Sequence, residues 1–250
     1  MTPSDIKITV LYNNFLTDQN LTSAWGMSCL LEGMEKVILF DTGGDGHTLL
    51  SNMKKLGKVP LNVEVVVLSH IHGDHTGGLA EFLITASDVE VYMPRSFPSK
   101  FQRLAEKLGA HATRVGEPKQ IFKDVYLTGE LGDSIPEQAL IIMTPKGSII
   151  ITGCAHPGVV DIVARAKDVC PGEVYLVTGG FHLMASSDQE IKRIIKELKT
   201  LGVRKIGPSH CTGERSIELF KKAWKEDYTD LGCGSVFNVE VLRPNPRDSH

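Results

Sequence analysis

Residues 69–79 read Ser69-His70-Ile71-His72-Gly73-Asp74-His75-Thr76-Gly77-Gly78-Leu79, placing three histidines and one aspartate within six positions directly after Val65-Val66-Val67-Leu68. Imidazole and carboxylate are ligands for zinc and neighbouring divalent metals. Crowding them into one short loop is costly unless a cation holds them. Side chains two apart in an extended segment point the same way, so His70 and His72 can reach one metal together. Gly73 lets the chain turn sharply, after which Asp74 and His75 can face a second position nearby. Thr76-Gly77-Gly78 is expected to open a helix whose N-terminal amides favour anions. A structural zinc site would be richer in cysteine and closed. The spacing therefore predicts metal used for chemistry.

One loop rarely completes a metal site. Of the six other histidines, three follow an apolar run through glycine or proline: His156 after Ile149-Ile150-Ile151-Thr152-Gly153-Cys154-Ala155, His182 after Thr178-Gly179-Gly180-Phe181, and His210 after Gly207-Pro208-Ser209. His47, His111 and His250 lack this context and read as surface residues. Gly43-Gly44-Asp45-Gly46 is glycine-rich but lacks the lysine-bearing helix of a phosphate-binding loop. No Gly-x-Ser-x-Gly supports a serine hydrolase.

With these residues in view, the chain resembles the metallo-β-lactamase superfamily, whose His-x-His-x-Asp-His hallmark is matched at His70, His72, Asp74 and His75. Phe40-Asp41-Thr42-Gly43 resembles the earlier aspartate motif of that superfamily, in which the aspartate supports the metal loop through hydrogen bonds. Three further motifs look like one subfamily, the dihydropterin-methyl ribofuranosylaminobenzene phosphate synthases and related metal-dependent hydrolases. They are Thr152-Gly153-Cys154-Ala155-His156-Pro157-Gly158, Gly179-Gly180-Phe181-His182-Leu183 and Pro208-Ser209-His210-Cys211-Thr212-Gly213.

The resemblance implies an α/β fold, a four-layer αββα sandwich, with a dinuclear site at one edge of its two sheets. His70, His72 and His156 would hold one divalent ion, and Asp74, His75 and His210 the other. Zinc is the first expectation, and manganese, nickel and iron are compatible. Many members carry a histidine before the strand equivalent to Ile149–Ile151 and a bridging aspartate just after it. Here no histidine lies between His111 and His156, and Cys154 falls where that aspartate would. His156 is expected to replace the missing histidine. Cys154 either binds metal or packs as a buried thiol under the site. Cys211 reads as a small buried hydrophobe.

The expected chemistry is hydrolysis or group transfer on a phosphate- or pterin-containing small molecule. It would use a metal-bound hydroxide or a metal-stabilised leaving group. Asp74 is expected to orient the attacking water as well as bind metal. His182 could donate a proton, bind phosphate, ligate directly, or be a hydrogen-bonded core histidine. Trp25 and Phe15 could stack on a flat ring such as a pterin, and core packing would explain them equally. The rival class is a non-catalytic sensing or redox protein on the same fold. Iron-dependent redox relatives usually carry an acidic ligand in place of His72 and an attached flavin domain, for which this chain is too short.

The elements that must position these groups alternate short β-branched runs with longer amphipathic ones, an α/β pattern. Strands are expected at Ile6–Leu11, Ser28–Glu32, Val37–Phe40, Val63–Leu68, Val89–Met93, Val125–Leu127, Ala139–Met143, Ser148–Ile151, Val174–Val177 and Val203–Ile206. Helices are expected at His47–Leu56, Gly78–Ile84, Lys100–Leu108, Val159–Asp168, Gln189–Leu201 and Glu214–Lys225. Ser187-Asp188-Gln189-Glu190 carries a capping box, Thr212 is placed to cap the last helix, and Pro145-Lys146-Gly147 reads as a hairpin turn.

The 250 residues contain no linker-like stretch, so one domain spans 1–250, with 244–250 a loose tail. A net charge of −3 without a dense basic tract argues against nucleic-acid binding. No apolar run approaches membrane-spanning length, and Met1–Val10 lacks the pattern of a secretory signal. Five widely spaced cysteines, odd in number, fit a reduced cytoplasmic setting. Oligomeric state is left open.

Overall fold

The computed structural model describes residues 5–239. The expected tail at 244–250, with His250, lies outside them. Thirteen strands form two mixed sheets. The first holds β1 (Ile6–Tyr12), β2 (Ser28–Glu32), β3 (Ile38–Phe40), β4 (Val65–Val67), β5 (Glu90–Pro94), β6 (His111–Val115) and, returning from the far end of the chain, β13 (Val236–Val239), in the order β13-β1-β2-β3-β4-β5-β6. The second holds β7 (Lys119–Phe122), β8 (Val125–Leu127), β9 (Leu140–Thr144), β10 (Gly147–Thr152), β11 (Val174–Gly180) and β12 (Val203–Ser209), in the order β12-β11-β10-β9-β8-β7.

Each sheet changes from antiparallel to parallel part-way across. In the first, β3, β4, β5 and β6 run parallel, and in the second β10, β11 and β12 do. Parallel neighbours need long crossovers, which here are helices. They are α1 (Gly46–Lys55), α2 (Gly73–Thr76), α3 (Leu79–Thr85) and α4 (Ser99–Lys107) on the first sheet, and α5 (Val159–Val169) and α6 (Asp188–Thr200) on the second, with α7 (Glu214–Trp224) after β12.

The central strands are apolar at every position because both faces are covered. Ile38, Phe40, Val65 and Val67 pack between the sheets against Ile149, Ile151, Leu140 and Leu127. Leu39 and Val66, one residue out of step, pack outward against Leu49, Met53 and Phe82 of α1 and α3. Ile150 and Val177 face outward on the other side, against Ile162 of α5, Ile191 of α6 and Phe220 of α7. The layers are helix, sheet, sheet, helix, as the resemblance implied.

Three strands escape the apolar pattern. β6 (His-Ala-Thr-Arg-Val) and β7 (Lys-Gln-Ile-Phe) are polar and largely exposed because they edge their sheets, and four-residue β13 is another edge. The helix expected at Gly78–Ile84 forms as α3, and a further short helix, α2, precedes it from Gly73, immediately after His72. Ser187 caps α6 by accepting the Glu190 N–H, and the Pro145–Gly147 hairpin forms between β9 and β10. Thr212 does not cap α7. Its hydroxyl accepts from Phe181 N and donates to Ser209 O, so it ties the end of β11 to that of β12 instead. Among the described residues no helix is long and apolar enough to cross a membrane.

Candidate metal centre

Parallel strands deliver their C-terminal ends to one edge, where open α/β sheets gather functional groups. β4 delivers residues 69–75, β10 delivers 153–156, β11 delivers His182 and β12 delivers His210. Asp41, Ala155, His182 and His210, which leave or flank these ends, all have positive φ, between 50° and 56°. Non-glycine residues in that region are strained, and such strain collects at functional sites.

A hydrogen-bond chain fixes the loop after β4. Asp41, fully buried, accepts from Ser69 N (2.7 Å) and Ser69 Oγ (2.7 Å), and its Oδ2 also faces His75 Nδ1 at 2.7 Å. Ser69 Oγ, having donated to Asp41, is left to accept from His70 Nδ1 at 2.9 Å. His210 Nδ1 donates to Asn14 Oδ1 at 2.9 Å. These acceptors set the tautomers: each ring, when neutral, carries its proton on Nδ1 and turns a bare Nε2 inward. Gly153 is needed here, because a Cβ on it would stand 2.0 Å from Ser69 Oγ.

Glu137 fixes the other sheet's loop. Fully buried, it accepts from the backbone N–H groups of Gly153, Cys154 and Ala155 at 2.9 Å and of His156 at 3.0 Å. The next residue, Gln138, reaches across to Leu68 O (2.9 Å) with its side chain and to Ser69 O (2.9 Å) with its backbone. The two metal-facing loops are thereby stitched together.

The candidate ligand atoms fall into two adjoining triads. Those of His70, His72 and His156 lie within 4.8 Å of one another, as do those of Asp74, His75 and His210. In the second triad His75 Nε2 stands 3.2 Å from His210 Nε2, and Asp74 Oδ2 lies 3.2 Å from His210 Nε2 and 3.6 Å from His75 Nε2. Cys154 Sγ is 3.2 Å from His75 Nε2. Donors around tetrahedral zinc, with bonds of about 2.0–2.3 Å, stand about 3.3–3.6 Å apart. In the first triad His70 Nε2 and His156 Nε2 are buried without a hydrogen-bond partner. Buried polar atoms are ordinarily paired, so two unpartnered imidazole nitrogens within one triad fit a cation well.

The electrostatics point the same way. Burial, reinforced by the imidazoles of His75 and His156, holds His70 far below the ordinary histidine range. Burial and the His182 imidazole push His156 down to about 4. Both are neutral at neutral pH, the form in which an imidazole binds metal. Burial would also lower His75, but the Asp41 and Asp74 carboxylates outweigh it and raise its pKa. For Asp74, burial is outweighed by the His210 hydrogen bond and the His75 charge, which keep the carboxylate ionised.

Every residue expected at the metals is therefore at this edge. His182 is not a core histidine: it is exposed, its ring 4.3 Å from that of His156, and it bonds the Cys211 thiol, which raises its pKa. His47 and His111 are exposed and belong to neither triad. Trp25 is half exposed, which removes core packing as its explanation. Glu137, Asn14 and Gln138 carried no signal in the sequence. Each sits in an unremarkable polar stretch and acquires its role only when the two sheets meet.

The family model of the metallo-beta-lactamase superfamily matches residues 26–210. The chain belongs to that superfamily. A 7,8-dihydropterin-6-methyl-4-(beta-D-ribofuranosyl)-aminobenzene-5'-phosphate synthase of Methanocaldococcus jannaschii is 31% identical, over 86% of this chain and 90% of that protein. An uncharacterised protein of the same organism is 28% identical, over 77% of this chain and 85% of that one. The crystal structure of a metal-dependent hydrolase of the beta-lactamase superfamily superposes with a TM-score of 0.79 at 28% identity, covering 94% of this chain and 99% of that one. Membership of the metallo-β-lactamase superfamily carries divalent-metal binding with it.

Proposed function

We propose that this metallo-β-lactamase superfamily member is a dinuclear metal-dependent enzyme performing hydrolysis or group transfer on a phosphate- or pterin-containing small molecule. His70, His72 and His156 would hold one divalent cation, zinc first among candidates, and Asp74, His75 and His210 the second, with Cys154 Sγ as its fourth donor. The observation that carries the reading is the convergence of His75 Nε2 and His210 Nε2, 3.2 Å apart, with both Nδ1 atoms already committed to Asp41 and Asn14. Facing nitrogens at that distance are held together by positive charge between them, a proton or a metal ion, and with Asp74 Oδ2 and Cys154 Sγ also within 3.2 Å of one or the other the donor set suits a metal ion. The named synthase relative supports the substrate class.

Bound cations there would supply Lewis acidity and ionise water near neutral pH. The chain's own groups do the rest. Asp74, only partly buried, presents a carboxylate oxygen able to accept a hydrogen bond from an attacking water or hydroxyl and so orient it. His182, at the rim beside His156, carries a raised pKa and can donate a ring proton to a departing oxygen. Asp41, Ser69 and Asn14 hold imidazole rings in place, and Glu137 holds the loop that carries His156.

The test pairs elemental analysis with activity. Protein purified without added metal should carry two divalent ions per chain and turn over at least one of a phosphodiester, a lactone and a pterin diphosphate. Release of the free alcohol marks hydrolysis, and coupling to an added arylamine marks transfer. His72→Ala should lose about one ion and about 100-fold or more in rate. A His72→Ala protein with full metal content and full activity would sink the scheme.

A further inference from the structure

We propose that the hollow beside His210 is a seat for a flat aromatic ring, with Trp25 as one wall. The inference rests on the reading above for what happens to the ring's substituent, and on separate observations for the seat itself.

The hollow has a volume of about 440 Å³ and is lined by Asn14, Phe15, Trp25, Met184 and His210 among others, within the usual range of small-molecule sites. Trp25 is 50% exposed and Met184 62%, whereas the chain's other tryptophan, Trp224, is 6% exposed and packs in the core. Two large apolar side chains left open to solvent thus face one hollow. Their neighbour His210 joins that hollow to the metal centre, because its ring centroid lies 4.9 Å from that of Trp25 while its Nε2 belongs to the second triad.

The Trp25 wall is held by the fold. Asn52, fully buried on α1, donates to Leu11 O (2.9 Å) and Thr22 O (2.8 Å) and accepts from Thr22 N (3.0 Å). Ala24 N donates to Asn13 O at 3.2 Å, and Cys233 N donates to Phe15 O at 2.7 Å. Opposite, Met184 packs so closely on Gly213 that a Cβ there would stand 2.9 Å from Met184 Cγ. A rigid aromatic face loses little freedom on binding, and it prefers another flat ring offset over it. Both a pterin and an aminobenzene meet that description, and a sugar phosphate does not.

The test titrates 6-hydroxymethylpterin, 4-aminobenzoate and ribose 5-phosphate separately into the metal-loaded full chain, with calorimetry as the readout. One or both ring probes should bind saturably. Trp25→Ala should weaken that binding by about tenfold or more and Trp25→Phe should largely restore it. Ribose 5-phosphate affinity should not respond to Trp25, and metal content should stay at the wild-type level in both variants. Which ring probe binds identifies the half of the substrate seated there. Ring binding indifferent to Trp25→Ala, or no ring binding by the wild type, overturns the seat while leaving the metal reading standing. If the wild type holds no metal, that reading falls instead, and the same titration of the metal-free chain still judges the seat.

Discussion

Asp41 makes three hydrogen bonds and touches none of the atoms that would meet substrate, yet it decides which nitrogen of His75 is bare. Replacing it with asparagine keeps the shape but offers an amide N–H where Oδ2 now accepts from both Ser69 Oγ and His75 Nδ1. Asp41→Asn should lower affinity at the second metal position by about 10–100-fold, measured by competition with a chromophoric chelator. Wild-type affinity in that variant would show that His75 needs no such support. Cys154 is a sharper case. Its thiol, pushed up by the Cys211 hydrogen bond and by burial, stays protonated without a cation. A nearby cation reverses that preference and makes it a ligand. Cobalt-substituted protein should show a near-ultraviolet thiolate-to-cobalt band that Cys154→Ser abolishes and Cys211→Ser preserves. A band that instead follows Cys211 would reassign the sulfur donor.

The elements explain what the sequence could announce and what it could not. The candidate ligands in the loop after β4 were legible, because buried parallel strands read as unbroken Val/Ile runs and their ends are punctuated by glycine. His156 and His210 were legible for the same reason. The polar edges β6 and β7 were not, since one exposed face and no partner on the far side remove the pattern. Glu137 was equally hidden: it looks like a surface acid after Pro136 and is instead a fully buried acceptor of four backbone N–H groups. Glu137→Ala should leave those donors unpaired, at about 1–3 kcal/mol for each group left buried without a partner. The urea midpoint should fall sharply, and His156 should lose its place at the metal. A variant with unaltered stability and metal content would mean that water replaces the carboxylate without penalty.

Without bound metal, the stability of the molecule as a whole should depend on pH through the histidines of the proposed sites. His156 at about 4, against 6.5 for an ordinary histidine, contributes stability in full above pH 6.5 and loses it as pH falls toward 4. His70 acts in the same direction. His75, raised, opposes them: its contribution is complete in acid and is lost as pH rises through its folded-state value. The urea midpoint of chelator-treated protein should therefore drop between pH 6.5 and 4, and His156→Ala should shrink that drop. An equal drop in both proteins would put the acid sensitivity elsewhere. The arrangement of donors has a mechanical side too. Among the described residues the chain passes from the first sheet to the second through Gly116-Glu117-Pro118, between β6 and β7, and returns with β13. Asp74 and His75 come from one slab, His210 from the other, and a cation gripped by all three is a clasp across the seam. Demetallation would then loosen the joint between the slabs before it unravels either one.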